Sequence, residues 1–486
     1  MIIMSAGVFM NLVTGVRFAA AAFWFGVPYT PTIVGSVVPG GPAWRAGVPP
    51  GGQVTAVNGF EDDLMRFRDM KLEVLQAGLE DGDQELPVTM RFGNKSEQFE
   101  SRQYELPMMP SPGEKSFRLI GVGMAHTTTI GKQQAAIEMS AAAEVLGEED
   151  QGATVLAYDG IPIQQDALVP SLPLKDYINR HPSKPIELLI KRIDDSERTV
   201  ILPAQKTRGI GIRFQPGPVK ALVVGGPAEK AGLKVGDVIT GASGMDTPSI
   251  ATLLAAMTTG EPLRVTVQRD DAKVDVTIEP DDTLQADEPL DLVRHIAAMN
   301  AYGFAFEISP FVASFDPTAL VRGDAFSAGD QLRSITLLSD SEFPPEFKEE
   351  PLSNIIDGFK KPWKLSNTET SWGFLDSIQL LPIGTKFSIK SEKAGSGKII
   401  ESVVQIQNDT ERFQFDRGLV LHPFERTRIA DSVSNAFALG LRESRIRLGE
   451  VLRFLKMMVM GKVETKFIGG PLRIFDAAGK EAERGT

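Results

Sequence analysis

Internal repetition is the strongest constraint on this chain. Residues 34–59 read VGSVVPGGPAWRAGVPPGGQVTAVNG, and residues 221–244 read ALVVGGPAEKAGLKVGDVITGASG. Both run strand, Gly-Gly-Pro-Ala, a short helical turn ending in Ala-Gly, a Gly-Gly or Gly-Asp step, a second strand and a closing glycine. The local reasons are physical. Pro42 and Pro227 suit the first helical turn, Gly47 and Gly232 suit a left-handed helix stop, and Gly59 and Gly244 suit tight turns. At 486 residues and about 100–200 residues per domain, the chain holds three or four domains rather than one core.

This pattern resembles the PDZ domain, in the permuted form found in bacterial proteases. The resemblance implies one more element, a loop of the form glycine, apolar, small, apolar, whose backbone amides receive a peptide's terminal carboxylate before the peptide adds as a strand. Such loops recur at Gly26-Val27-Pro28-Tyr29, Gly121-Val122-Gly123-Met124, Gly209-Ile210-Gly211-Ile212 and Gly303-Phe304-Ala305-Phe306, at intervals of roughly ninety residues, about one module each. Pro28 removes an amide donor from the first. The candidate peptide-binding residues are therefore Gly121, Val122, Gly123, Met124, Gly209, Ile210, Gly211, Ile212, Gly303 and Phe304. The third module combines Gly-Ile-Gly-Ile with an unbroken Gly-Pro-Ala to Gly-Asp stretch and is the best candidate groove. The competing reading is that these glycines serve only turns in β-rich domains.

The second module is degraded, with AAIEMSAAAEVLG in place of the Gly-Pro-Ala helix and its stop. The fourth keeps Ala328-Gly329-Asp330, and SDSEFPPEFKEEPLSN after it reads as a polar surface insertion. The runs PLRVTVQR and KVDVTIEP, split by Asp270 and Asp271, alternate with the period of a half-buried hairpin.

A formal net charge of −12 argues against a nucleic-acid binder, whose footprint is a basic face. There is no cysteine, and the four histidines, His126, His181, His295 and His422, are far apart. No HExxH is present to set two imidazoles on one helical face beside a glutamate base. No catalytic residue, metal site or small-molecule cofactor is expected in this chain.

Residues 2–27 form an apolar run about as long as the roughly 20 residues that span a bilayer, broken by Arg17. A membrane helix is the leading expectation. A cleaved signal peptide and a buried soluble helix are its rivals, although no basic residue precedes the run. Residues 427–460 predict one long helix with Val433, Phe437, Leu441, Leu448, Leu452 and Leu455 as an approximate apolar stripe, either soluble and amphipathic or membrane-embedded. Beyond it, Ile468-Gly469-Gly470-Pro471-Leu472 is similar to the nucleophile motif of trypsin-like PDZ proteases, but isoleucine stands where serine is required.

The order of parts resembles the site-2 protease family of intramembrane zinc metalloproteases, which includes the regulator-of-sigma-E protease. The resemblance lies in the apolar helix with Ser5-Ala6-Gly7-Val8-Phe9-Met10-Asn11, the PDZ array, the long helix and the Gly-Lys-Val-Glu-Thr-Lys-Phe-Ile-Gly-Gly-Pro-Leu segment. It implies zinc-dependent peptide-bond hydrolysis in the intact family, with PDZ modules that gate substrates. This sequence lacks the family's zinc-binding HExxH and LDG motifs, so it reads as an internal, inactive portion. The expected fold is α+β, mostly β. It has a transmembrane helix over 1–27, PDZ-like β-barrel modules over 28–112, 113–204 (degenerate), 205–285 and 286–424 (with an insertion), and a long helix with the Gly-Gly-Pro segment over 425–486. Expected partners are peptide or protein termini and a membrane, with no nucleic acid. The expected location is the inner membrane, with the bulk of the chain periplasmic. The alternative is a free-standing periplasmic peptide-binding scaffold.

Overall fold

The computed structural model describes residues 2–460 apart from 82–84, 94–98, 112–117, 139, 257–258, 282–289, 292–295, 339–342, 344, 349–351, 366–373, 376 and 415–416. The Gly-Gly-Pro segment and His295 lie outside the described residues. Two compact units emerge, one from Met1–Pro31, Leu75–Gly82 and Glu425–Thr486, the other from Thr32–Val74 and Asp83–Phe424.

The first unit contains two long helices, Ile2–Phe25 and Val433–Val459. Gly440 lets them approach closely, because a Cβ there would sit 2.7 Å from the Ala20 amide nitrogen and 2.8 Å from the Val16 carbonyl. Ala20, Phe23, Ala436 and Leu439 are buried. Gly26, at φ +107, ends the first helix by donating to the Ala22 carbonyl. The next strand, Val27–Tyr29, pairs with Arg426–Arg428. Both expected helices therefore form, but the expected membrane span is corrected. Among the described residues no helix is long and apolar enough to cross a membrane. Asn11 and Arg17 interrupt the first apolar run, and a charge at mid-span costs about 2.5–3.5 kcal/mol on insertion scales.

The second unit is mostly β, and its stretches expected from sequence as modules are called first to fourth in chain order. The third shows the local logic. Gly226 precedes the Pro227–Lys230 turn, with proline at the first helical position. Then come strand Val238–Ala242, helix Ile250–Ala256 and the hairpin Leu263–Arg269 with Ala272–Ile278, in register from Leu263↔Ile278 to Arg269↔Ala272. Asp270, at φ +49, makes the two-residue connection. Leu263, Val265 and Val267 face inward, alternating with more exposed neighbours, and each fully buried aliphatic side chain contributes about 1.5–3 kcal/mol.

Where each copy turns from its opening strand, an i to i+3 bond closes. Gly41 donates to Val38, Ser140 to Ile137, Gly226 to Val223 and Ala319 to Asp316. The corner residues in turn donate to the carbonyls of four distant glycines. Val38 meets Gly121 at 2.9 Å, Val223 meets Gly303 at 2.9 Å, Asp316 meets Gly211 at 2.8 Å and Ile137 meets Gly418 at 2.8 Å.

These partners reveal an exchange. The strands after Gly121 and Gly303 pair with the opening strands of their own modules, Val34–Val37 and the second half of Ile212–Leu222. The strand after Gly211 instead pairs with the second half of Phe304–Phe315, Ile212↔Phe315 and Phe214↔Val312, which opens the fourth module. The strand after Gly418, Leu421–Pro423, pairs with His126–Ile130, which opens the second. The two linkers, Gln205–Gly209 and Gln407–Gln414, run antiparallel to each other from Gln205↔Gln414 to Gly209↔Gln407. The second and fourth modules thus trade their closing strands.

The expected closed barrels are corrected as well. Each sheet is an open path among the described residues, and one of 13 strands runs through the third and fourth modules along the Ile212–Leu222 and Phe304–Phe315 seam. Strands shared among the second, third and fourth modules join them rather than closing each on itself.

Candidate functional site

The chemistry a glycine turn offers is backbone chemistry, so its conformation comes first. Gly121, Gly211, Gly303 and Gly418 adopt φ of +78, +77, +72 and +74, a left-handed geometry that L side chains reach at a cost of about 1–2 kcal/mol. Gly211 and Gly418 are also crowded. A Cβ on Gly211 would meet Ala319 Cβ at 2.7 Å, and one on Gly418 would meet Ser140 Cβ at 2.1 Å. Gly209 is not part of this turn. It pairs with Gln407 in the linker ladder, so the turn in this copy is Ile210-Gly211-Ile212.

The residue before each turn glycine is buried: Ile120, Ile210, Tyr302 and Arg417. Two of them reach the carbonyl end of their module's helix. The Tyr302 hydroxyl donates to Glu261 at 2.7 Å and to Ala256, the last residue of Ile250–Ala256, at 3.2 Å. Arg417 donates to His181, which caps helix Leu172–Arg180, at 2.5 Å, to Lys184 at 2.7 Å and to Leu202 at 3.1 Å. Burial pushes its guanidinium down, to about 10, so it remains a cation at neutral pH. In the fourth module Arg208 donates to Leu381, just past Ile378–Leu380, while the Gln379 amide brackets the Arg208 backbone at 2.8 and 2.9 Å. Arg213 forks onto both oxygens of Asp409 at 2.6 and 2.8 Å, tying the exchanged strand to the linker.

A buried aspartate recurs in three copies. Asp150, Asp237 and Asp330 accept from the amide three residues earlier, Gly147, Lys234 and Ser327, and pair with Arg192 and Arg198, Arg269 and Lys393 respectively. For Asp237 and Asp330 burial alone would raise the carboxyl pKa. The basic partner and the amides outweigh it and hold both below the ordinary carboxylate value. The first module has Gly52 at this place, and a Cβ there would run into the Phe92 ring at 2.5 Å.

The ten residues picked from sequence are spread over separate strands and turns, not gathered in one site. Val122–Met124 pairs with Val34–Val37 and, among the described residues, with no other strand. Gly35 permits that pairing, since a Cβ there would sit 2.2 Å from the Met124 carbonyl. Ile212 begins the strand exchanged into the fourth module. Phe304 is flanked on both edges, by Leu222 and by Met299, and the Gly303 amide donates to the Met299 carbonyl at 2.8 Å. Sequence reasoning missed Gly418, although Gly418-Leu419-Val420-Leu421 repeats the glycine, apolar, apolar pattern. It also missed Arg417 and Tyr302.

A 580 Å³ cavity flanks Ile250–Ala256, lined by Ala242, Ser243, Met245, Thr252, Ala255 and Glu261 among others. No residue of Phe304–Phe315 lines it. No group of three or more His, Asp or Glu that could hold a metal occurs among the described residues. His181 stacks on Tyr177 with centroids 4.1 Å apart, and His422 contacts the Pro423 carbonyl. What these elements offer is strand edges and anchored turns.

Residues 219–269 match the family model described as PDZ domain. No curated protein matches the chain. Among solved structures it is similar to the crystal structure of a PDZ domain protein from Parabacteroides distasonis ATCC 8503, at 11% identity and a TM-score of 0.12. That similarity covers 43% of this chain, which spans 59% of the length of that one. The PDZ domain match falls within the third module.

Proposed function

We propose that this chain is a peptide-binding array whose modules take extended peptide segments or termini by strand addition. The observation that carries this reading is the set of four left-handed glycine turns, each opening a strand and each bonded to the corner of a module. Backbone pairing supplies affinity and alternate side chains supply selectivity in such recognition. Val122–Met124 and Ile212–Phe214 are the strands proposed to receive ligand.

The order of helix, array, helix and Gly-Gly-Pro segment supports a relationship to site-2 proteases, in which the array screens substrates outside the membrane. Exposed Phe18, Phe25, Leu441 and Leu452 on the two terminal helices support membrane association, with the array on the extracytoplasmic side. The test is amide exchange of the full chain with short peptides ending in a free apolar carboxylate. Protection gained at Val122–Met124 or Ile212–Phe214 supports strand addition. Unchanged exchange at both strands contradicts it. Flotation with anionic liposomes, compared between the full chain and a Phe18→Ser, Phe25→Ser variant, tests membrane association. Loss of flotation in the variant is expected, and a wild-type chain that stays with the unbound fraction contradicts it.

A further inference from the structure

Among the described residues, the third module carries a strand that the first does not. Ile296–Met299 runs antiparallel to Phe304–Glu307, Ile296↔Glu307 through Met299↔Phe304, on the edge opposite the Ile212–Leu222 strand. Ala297, Ala298 and Met299 are fully buried, and helix Ile250–Ala256 packs against the segment. The Gly303 amide is already engaged, donating to the Met299 carbonyl at 2.8 Å and to the Asn300 carbonyl at 3.0 Å, where it caps the short turn Asn300–Tyr302 that joins the two strands. In the first module the corresponding residues before the turn, Arg118–Leu119, pair with Met109–Pro110 instead and leave Val122–Met124 uncovered by them.

The first module holds the extra strand from outside. Trp44 Nε1 donates to Asn300 Oδ1 at 3.1 Å, with both residues buried. The Arg45 carbonyl accepts from Val224 at 2.9 Å, and Gly40 faces Ile296 so closely that an added Cβ would lie 3.4 Å from its methyl. A strand that adds at the edge and runs antiparallel stands where an added peptide would stand.

We propose that Ile296–Met299 is an internal ligand of the third module, held by the Trp44–Asn300 bond, and that an extended peptide bearing small apolar side chains binds this edge by replacing it. This rests on the peptide-binding reading and gives it a ligand class and a gate. The first module sets how often the third is open, because the bound strand must leave before a competitor pairs with Phe304–Glu307. The apparent affinity falls by the fraction of time the edge is free.

The experiment uses the full chain and a fluorescein-labelled peptide of sequence Ile-Ala-Ala-Met-Asn, with Trp44→Phe and Asn300→Ala as two independent ways to remove the bond. Amide exchange at Ala297–Met299 reports release, and anisotropy reports binding. The expected result is faster exchange at Ala297–Met299 in both variants, at least tenfold tighter peptide binding than wild type, and renewed protection of Phe304–Glu307 with peptide. Equal affinity in wild type and both variants overturns the gate, as does unchanged exchange in both. Release without peptide binding overturns the ligand class. Free-carboxylate peptides that still protect Val122–Met124 or Ile212–Phe214 would confine such a failure to this inference. Loss of binding at all three strands would remove the peptide-binding reading itself.

Discussion

Arg417 occupies in the second module the place that Tyr302 occupies in the third. Each precedes a left-handed glycine, and each donates to carbonyls at the end of its module's helix, His181 and Lys184 in one case and Ala256 in the other. Tyr302 lies 46 residues from Ala256, whereas Arg417 lies 236 residues from His181. The equivalence identifies the exchange: the second module is completed by chain that follows the fourth.

Arg417→Met is therefore expected to loosen two modules together. Three or more buried carbonyls lose their donor, and the full chain loses about 2–4 kcal/mol. Exchange should quicken in both Leu172–Arg180 and Lys386–Glu392. Tyr302→Phe should cost about 1 kcal/mol and act within the third module alone. Chemical denaturation with amide exchange separates these outcomes, and an Arg417→Met effect restricted to the second module would contradict the exchange.

Gly59 and Gly418 share φ +74, but a Cβ at Gly59 meets nothing within 4 Å while one at Gly418 meets Ser140 Cβ at 2.1 Å. Gly59→Ala should cost about 1–2 kcal/mol for conformation alone. Gly418→Ala should cost that plus about 1–3 kcal/mol of overpacking. Equal losses in a denaturant titration would show that the Gly418 turn does not pack on the Ser140 corner.

Acid should weaken the third and fourth modules through Asp237 and Asp330. Both carboxyls sit below their unfolded value, since the basic partners and amides outweigh burial. The unfolded chain therefore takes up protons first, below about pH 3.9. The stability these groups contribute is present above that value and is lost as pH falls through the lowered folded values. Asp237→Asn should flatten the acid limb of stability against pH. An unchanged limb in the double variant with Asp330→Asn would contradict the assignment.

Much of the repeat was legible because its signals are local. Prolines at helix starts, glycines at stops and the alternation of LRVTV need only near neighbours, and Pro227, Gly232 and Leu263–Arg269 fold as their spacing predicts. The turn at Gly211 was misplaced by two residues because Gly-Ile-Gly-Ile reads equally well from either glycine. The left-handed φ of Gly211, the bond it receives from Asp316 and the pairing of Gly209 with Gln407 distinguish them. The exchange was not legible at all. A glycine, apolar, apolar strand fits any opening strand of the array, and the linker ladder Gln205–Gly209 with Gln407–Gln414 that routes each to its partner is a long-range pairing. Gly418 was missed because the preceding position, apolar in two other copies, is here a buried arginine.

The chain should also bind no stoichiometric zinc, because its four histidines are scattered and no cysteine is present. Metal analysis of purified protein after dialysis checks this, and zinc retained at one equivalent would contradict it.

Backbone amide exchange of the full chain, with and without saturating free-carboxylate peptides, tests the central claim most directly. Strand addition predicts new protection centred on the strands that follow Gly121 and Gly211, with the helix Val433–Val459 unchanged. Peptide binding that leaves those strands exchanging as before, or no binding at all, would contradict the account.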